Sequence, residues 1–578
     1  MFPALLTCAL AAALGQAPAE GAYLKALPAD APVVMHLRSA MGMKDDVEAM
    51  LKALSPTVAD QAAGPLAMMT DQLSQTFGEK GANTPVIMAM QLPNADDMQS
   101  PPPMAVLIKA EDFDTFLKSR AKEGEELKFE KHDGGYESFV DKNGQSIYMY
   151  KGDGFHAFGP NEVMVKAIAA KPSETFAGKA KPEVVQLLLA GDLSIYVDLA
   201  QVQVKYADQI KEAEGQFMAM LDQAAAQAQG AQMEQAKQLY AALFDGIKIA
   251  ESVTLSLDFS KEALDLSGLL TVKADSDSAK TLTTAKLGNA EGLASLPATE
   301  MAYVYVNFDP AGMEGLMKLN MANITAGQAD EALIKKSMEA AKAAGRQESI
   351  MAFSLGQPVN VFTITKPEHP EHALDASKVT FEALKSQPMF KNVTVEENVL
   401  EVQGFKLSKA SMTIDAEKVA EAQGQANEQV NEIMKRFMGE GPMTVYYGSD
   451  GKRVVSIMAS NEAEVKAKLE TALSGGSGGV GATAGYKALR SRLPENVGAL
   501  VMLNSQEMVK QIANMVGRLT GGEVKTPSMP KGTALLGFAY AATPAGYRFD
   551  IVVPTEVGPV FEQGFGALIQ SLQGQVGQ

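Results

Sequence analysis

One short segment is written three times in this chain of 578 residues. "LPADAPVVMHL" begins at Leu27, "LPATEMAYVYV" at Leu296 and "LPENVGALVML" at Leu493. Aligned from their Leu-Pro, the copies share one alternating set of apolar positions: Val33, Met35, Leu37; Ala302, Val304, Val306; Ala499, Val501, Leu503. The intervening set is mixed: Val34, His36, Arg38; Tyr303, Tyr305, Asn307; Leu500, Met502, Asn504. A period of two with one apolar face predicts a half-buried strand. The proline cannot donate to a ladder, so it marks the strand's entrance. A fourth, weaker copy, "LLLAGDLSIYVDL" at 187–199, keeps Ile195 and Val197 on the apolar side and Ser194, Tyr196 and Asp198 on the mixed one.

Helix signals follow each strand. Asp309-Pro310 suits a cap with proline in the first turn, and Ser505 is a candidate cap before Met508, Ile512 and Val516. "MKDDVEAMLKAL" places acids at an expected helix start, where the dipole favours them. Long helices are expected over the Ala/Gln-rich stretch after Gln201, with Gly230 splitting it, and over 321–344.

The remaining segments pair in the same order. The stretch from Pro101 matches that from Gly356: proline, strand, helix. The hairpin from Ser146 matches that from Met443, each running into a helix opened by Asn161 or Asn461, and Asn461 with Glu464 has capping-box spacing. The stretch from Val253 matches that from Ala534. The expected fold is therefore α+β: two similar lobes from an internal duplication, 20–290 and 291–578, mostly antiparallel sheets with helices packed on one face. A single lobe with coincidental strand-helix repeats is the competing arrangement. So long a chain also favours two or more domains over one core.

The first residues, "MFPALLTCALAAALGQAPAEGA", are uncharged and apolar, then small. That pattern predicts a signal peptide over 1–19, cleaved near 15 or 19, although no Lys or Arg precedes the apolar run. The only cysteine is Cys8. Its surroundings fit a lipidation site poorly, and cleavage beyond it would leave a mature chain with no disulfide and no thiolate site. No later stretch has the length of a membrane span, so none is expected in the mature chain. The expected location is periplasmic or extracellular.

A net charge of −18 repels phosphates, and no Lys/Arg-rich block stands out, so nucleic-acid binding is not expected. The hydrophobic fraction of 46% is enough to build cores. "SGGSGGVGATAG" (474–485) formally contains G-x-S-x-G around Ser477 and G-x-G-x-x-G from Gly476. Neither has the strand-turn-helix context such chemistry needs, so a Gly-rich linker is expected. His369 and His372 could share a helix face, but the proline between them and the lack of a third histidine nearby favour a solvated helix start. The acidic pairs Asp45-Asp46 and Asp96-Asp97 match no calcium loop. Thirty-two methionines read as core filler rather than copper ligands. Asn323 and Asn392 begin glycosylation sequons that matter only in a eukaryotic secretory route.

The mixed strand face is the feature most open to a functional role. His36, Tyr196, Tyr303, Tyr305 and Met502 either line an amphiphilic groove or lie under helices. No catalytic, metal-binding or cofactor-binding residue and no cofactor is expected. At its Leu-Pro-Ala-Asp strand the chain resembles a loosely defined family of exported bacterial proteins of unknown function, which repeat such strands. That resemblance brings no catalytic residues. The expected role is non-enzymatic binding or scaffolding in the cell envelope, with an envelope protein as partner. The alternative is a carrier holding a lipid or other apolar ligand between sheet and helices.

Overall fold

The computed structural model describes residues 20–94, 102–110, 113–122, 124, 126–227, 244–310, 331–355, 359–385, 387, 390–415, 418, 441–474, 478–520 and 532–564. The expected signal peptide with Cys8, the pair Asp96-Asp97, Gly230, the sequon at Asn323 and the Ser477 motif lie outside the described residues. So do the helix expected after Pro310 and the first part of the one expected over 321–344, whose remainder is the helix Glu331–Ala343.

The chain divides into two compact units. The first comprises residues 1–217, 243–283 and 543–548; the second comprises 218–242, 284–542 and 549–578. The main division falls at 283/284.

In the first unit the strands are β1 (Val33–Leu37), β2 (Val86–Met90), β3 (Met104–Lys109), β4 (Glu130–Lys131), β5 (Glu137–Val140), β6 (Ser146–Lys151), β7 (Phe155–Gly159), β8 (Leu193–Asp198), β9 (Ala250–Phe259) and β10 (Ala263–Val272). Their order across the sheet is β4-β5-β6-β7-β3-β2-β1-β8-β9-β10, every pair antiparallel. The strands that follow are β11 (Ala302–Phe308), β12 (Gln347–Ser354), β13 (Asn360–Pro367), β14 (Phe390–Val402), β15 (Phe405–Ile414), β16 (Met443–Ser449), β17 (Val454–Met458), β18 (Ala499–Asn504), β19 (Leu535–Thr543) and β20 (Gly546–Pro554), which form the second half of the sheet. The order in this half is β14-β15-β16-β17-β13-β12-β11-β18-β19-β20. Strand for strand, the two orders are the same.

The four copies of the repeated segment are β1, β8, β11 and β18. Within each half they are neighbours: Val33 faces Val197 across β1 and β8, and Ala302 faces Leu503 across β11 and β18. One arm of strands continues from β1 and the other from β8, and likewise from β11 and β18.

Local sequence explains the helix starts. Asn161 and Asn461 cap their helices through side-chain oxygens that accept from Val163 N and Glu464 N. The Glu464 carboxylate accepts from Ser460 N at 3.0 Å, one residue beyond the N-cap amide that a capping box would bond. Two expectations shift. The helix Ala40–Leu54 is capped by Ser39, so Asp45 and Asp46 fall beyond its first turn. Asn504, not Ser505, accepts from Glu507 N, while the buried Ser505 hydroxyl donates to the Ala534 carbonyl.

The Gly-rich segment is not a free linker where it is described. Pro297 bridges Gly479, Val480 is fully buried, and Val480–Ala482 forms one turn of 3-10 helix. A Cβ at Gly479 would fall on the Ala294 carbonyl oxygen. Glycine here permits close backbone approach rather than flexibility.

Candidate functional site

The mixed face is the buried one. His36, Tyr303, Tyr305 and Met502 are each 0% exposed, whereas Val33, Met35, Leu37, Val304, Val306, Ala499, Val501 and Leu503 are only half-buried. In the first unit, Val34, Ile87, Ala89, Leu107 and Ala157 of this buried side pack with Tyr23, Leu24, Met164, Val165, Ile168, Leu187 and Leu188 from helices. Alternation separates two faces without saying which one is covered. Tyrosine suits burial because its ring is apolar and its hydroxyl can reach the backbone. Tyr303 Oη donates to the Pro297 carbonyl at 2.9 Å and accepts from Glu300 N at 3.3 Å.

Burial sets the chemistry of these side chains. It lowers the pKa of His36 to about 4; the nearby Arg38 charge adds to the effect, and a backbone hydrogen bond at Leu188 opposes it. Burial also raises Tyr305 to about 12, with Glu348 contributing, and raises Tyr303 and Tyr196 well above the usual phenol range. His36 is therefore neutral at physiological pH, and the three tyrosines are protonated.

Tyr196 alone of the five lines a described cleft. The cleft lies in the first unit, has a volume of about 150 Å³, and opens where β8 passes into the helix Leu199–Lys205. The Leu-Pro-Ala-Asp segment holds its outer wall. The Leu27 carbonyl accepts from Phe176 N at 2.9 Å, Pro28 bridges Thr175, and Ala29 lines the cleft itself. Phe176 then meets Tyr196 edge to face, with ring centres 4.8 Å apart. Deeper in, Ser252 and Thr271 share a hydrogen bond of 2.7 Å. They continue a row of buried hydroxyls in which Ser194 bonds Ser256 at 2.9 Å.

Charged groups of both signs border the cleft. Lys181 Nζ lies 3.4 Å from Glu251 Oε2 and donates to the Ala545 carbonyl at 3.1 Å. The Asp198 carboxylate caps the helix Leu199–Lys205, accepting from Gln201 N and Gln201 Nε2 at 2.9 Å each. Lys179 is exposed and has no ion pair among the described residues.

The second unit has a cleft at the corresponding place. The Leu296 carbonyl accepts from Val480 N at 2.8 Å, and Pro297 bridges Gly479. Ala484, Gly485 and Ala488 then line a cleft of about 360 Å³ with Gln506, Thr533, Ala534 and Glu556. Val480, Ala484, Gly485 and Ala488 follow Phe176, Ala180, Lys181 and Val184 at one constant offset in sequence. Here Gly485 stands in place of Lys181. A Cβ at Gly485 would land on the Thr533 carbonyl oxygen, so no side chain fits.

Other polar clusters have a different character. His132 Nε2 lies 2.8 Å from Ser138 Oγ on the β4–β5 hairpin, with the His132 ring stacked on Tyr136. Neither residue lines either cleft, so the contact ties the hairpin together. His369 and His372 are exposed at a helix start beside Glu371. Among the described residues no group of three or more His, Cys, Asp or Glu side chains could hold a metal ion, and no helix is long and apolar enough to cross a membrane. No family model, no curated protein and no solved structure matches the chain.

Proposed function

We propose that the chain is an exported, non-enzymatic binding protein of a bacterial cell envelope, built by internal duplication of one α+β module. The observation that carries this is the matched pair of clefts, at corresponding positions in two units of the same strand order. The constant offset between their lining residues supports descent from one module. The uncharged N-terminal run supports export. The clefts combine a few polar groups with apolar walls, as ligand sites do, and among the described residues neither contains a nucleophile poised beside a base.

A second reading keeps the carrier of a lipid or other apolar ligand, moved to the opposite sheet face. Between the mixed face and its helices, side chains fill the space. The aliphatic set Val33, Met35, Ile195, Val197, Val253 and Leu255 is only half-buried by the described residues, which favours that face for an apolar ligand.

Native mass spectrometry of the protein taken from the envelope fraction, followed by solvent extraction, tests both readings. A small polar molecule released on denaturation supports the first, and a lipid supports the second. A bare mass with neither ligand nor protein partner contradicts both. An intact mass retaining residues 1–19 contradicts export by signal-peptide cleavage.

A further inference from the structure

We infer that the cleft of the first unit binds a small organic carboxylate, with its apolar body against Phe176, Val184 and Tyr196 and its charge at Lys179. This rests on the reading of the chain as a binding protein and names the ligand class of one site. Size comes first: about 150 Å³ is below the ~300 Å³ at which pockets for drug-sized ligands begin, so the occupant is about the size of one ring. A lipid chain does not fit.

Charge follows from what the lining groups already do. Asp198 is committed to the helix cap, where the helix dipole offsets its charge, and Glu251 is paired with Lys181. Lys179 remains as the cation at the mouth without an ion pair among the described residues. The walls complete the site. Phe176 and Val184 are buried, and Tyr196, packed edge to face with Phe176, adds an amphipathic ring. One of the Ser252 and Thr271 hydroxyls donates to the other, and both keep acceptor lone pairs for a substituent reaching inward.

The second unit supplies an internal contrast. At the offset that relates the two clefts, Thr483 stands in place of Lys179 and Gly485 in place of Lys181. Among the described residues that cleft has no lysine in its lining, and Glu556 gives it a negative charge. A carboxylate is expected to prefer the first unit.

The probe is sodium benzoate, titrated calorimetrically into the full chain, with benzyl alcohol as a neutral molecule of the same shape. Benzoate should bind once per chain, and more weakly as salt is raised. Lys179→Glu, an exposed change that leaves the fold intact by circular dichroism, should weaken it by about three- to fivefold. No benzoate binding, equal binding of benzyl alcohol, or affinity unchanged in Lys179→Glu would overturn the inference. If benzoate fails while the envelope-derived protein carries another small molecule, the ligand class is wrong and the binding reading stands.

Discussion

Acidification should weaken the first unit through His36. The side chain is 0% exposed, and its pKa is lowered to about 4 from 6.5. Between those values the unfolded chain binds a proton that the folded chain refuses. Stability therefore rises with pH, is fully present above the unfolded value, and is lost as pH falls toward 4. For this one group, linkage gives a loss of about 2 kcal/mol between about pH 7.5 and pH 5, and about 3 kcal/mol once both states are protonated. Carboxylates also titrate, so the variant His36→Leu isolates the histidine's share. Because a chain of two units need not unfold in one step, the assay is hydrogen-exchange mass spectrometry on peptides from β1 and β8, corrected for intrinsic exchange. The wild-type protein should lose about 2 kcal/mol more opening free energy over that pH interval than His36→Leu. Equal losses in the two proteins would refute the buried, neutral histidine.

Further substitutions probe the second unit. Glu300 and Lys468 form a largely buried pair at 3.0 Å, with Ser354 Oγ donating to the other Glu300 oxygen. Lys468→Met should cost roughly 3 kcal/mol in denaturant unfolding, and adding Glu300→Gln should recover part of it, because an unpaired buried charge costs more than none. Gly485→Ala should destabilise this unit by about 2 kcal/mol in the same assay, since the new Cβ meets the Thr533 carbonyl. Asn461→Ala should cost about 1 kcal/mol through loss of the cap on Glu464 N.

Much of the fold was legible in the sequence because strands and caps are local. The four repeated segments, the hairpins from Ser146 and Met443 and the Asn161 and Asn461 caps all lie where spacing placed them. Burial was less legible. The sequence left two places open for the mixed positions, a groove or the space under helices; His36, Tyr303, Tyr305 and Met502 are buried, while Tyr196 is half-buried at a cleft. Tyr303 meets the Pro297 carbonyl and Glu300 N, contacts that the folded backbone sets and composition does not show. The Gly-rich segment looked flexible for the same reason. Gly479 and Gly485 answer to carbonyls of Ala294 and Thr533, which composition does not reveal. Of the site, only Tyr196 was found. The other lining residues are scattered from Ala29 to Thr271. The one signal that could have found them is the constant offset linking Ala180, Lys181 and Val184 to Ala484, Gly485 and Ala488.

The most direct test of ligand binding at the Tyr196 cleft is hydrogen-exchange mass spectrometry of the full chain, with and without the molecule extracted from the envelope-derived protein, or with benzoate if none is recovered. Protection is expected in peptides covering 176–184, 196–200 and 251–252, which line the cleft. Protection confined to β1, β8 and β9, with none at 176–184, would contradict binding in the cleft and favour an apolar ligand on the opposite face.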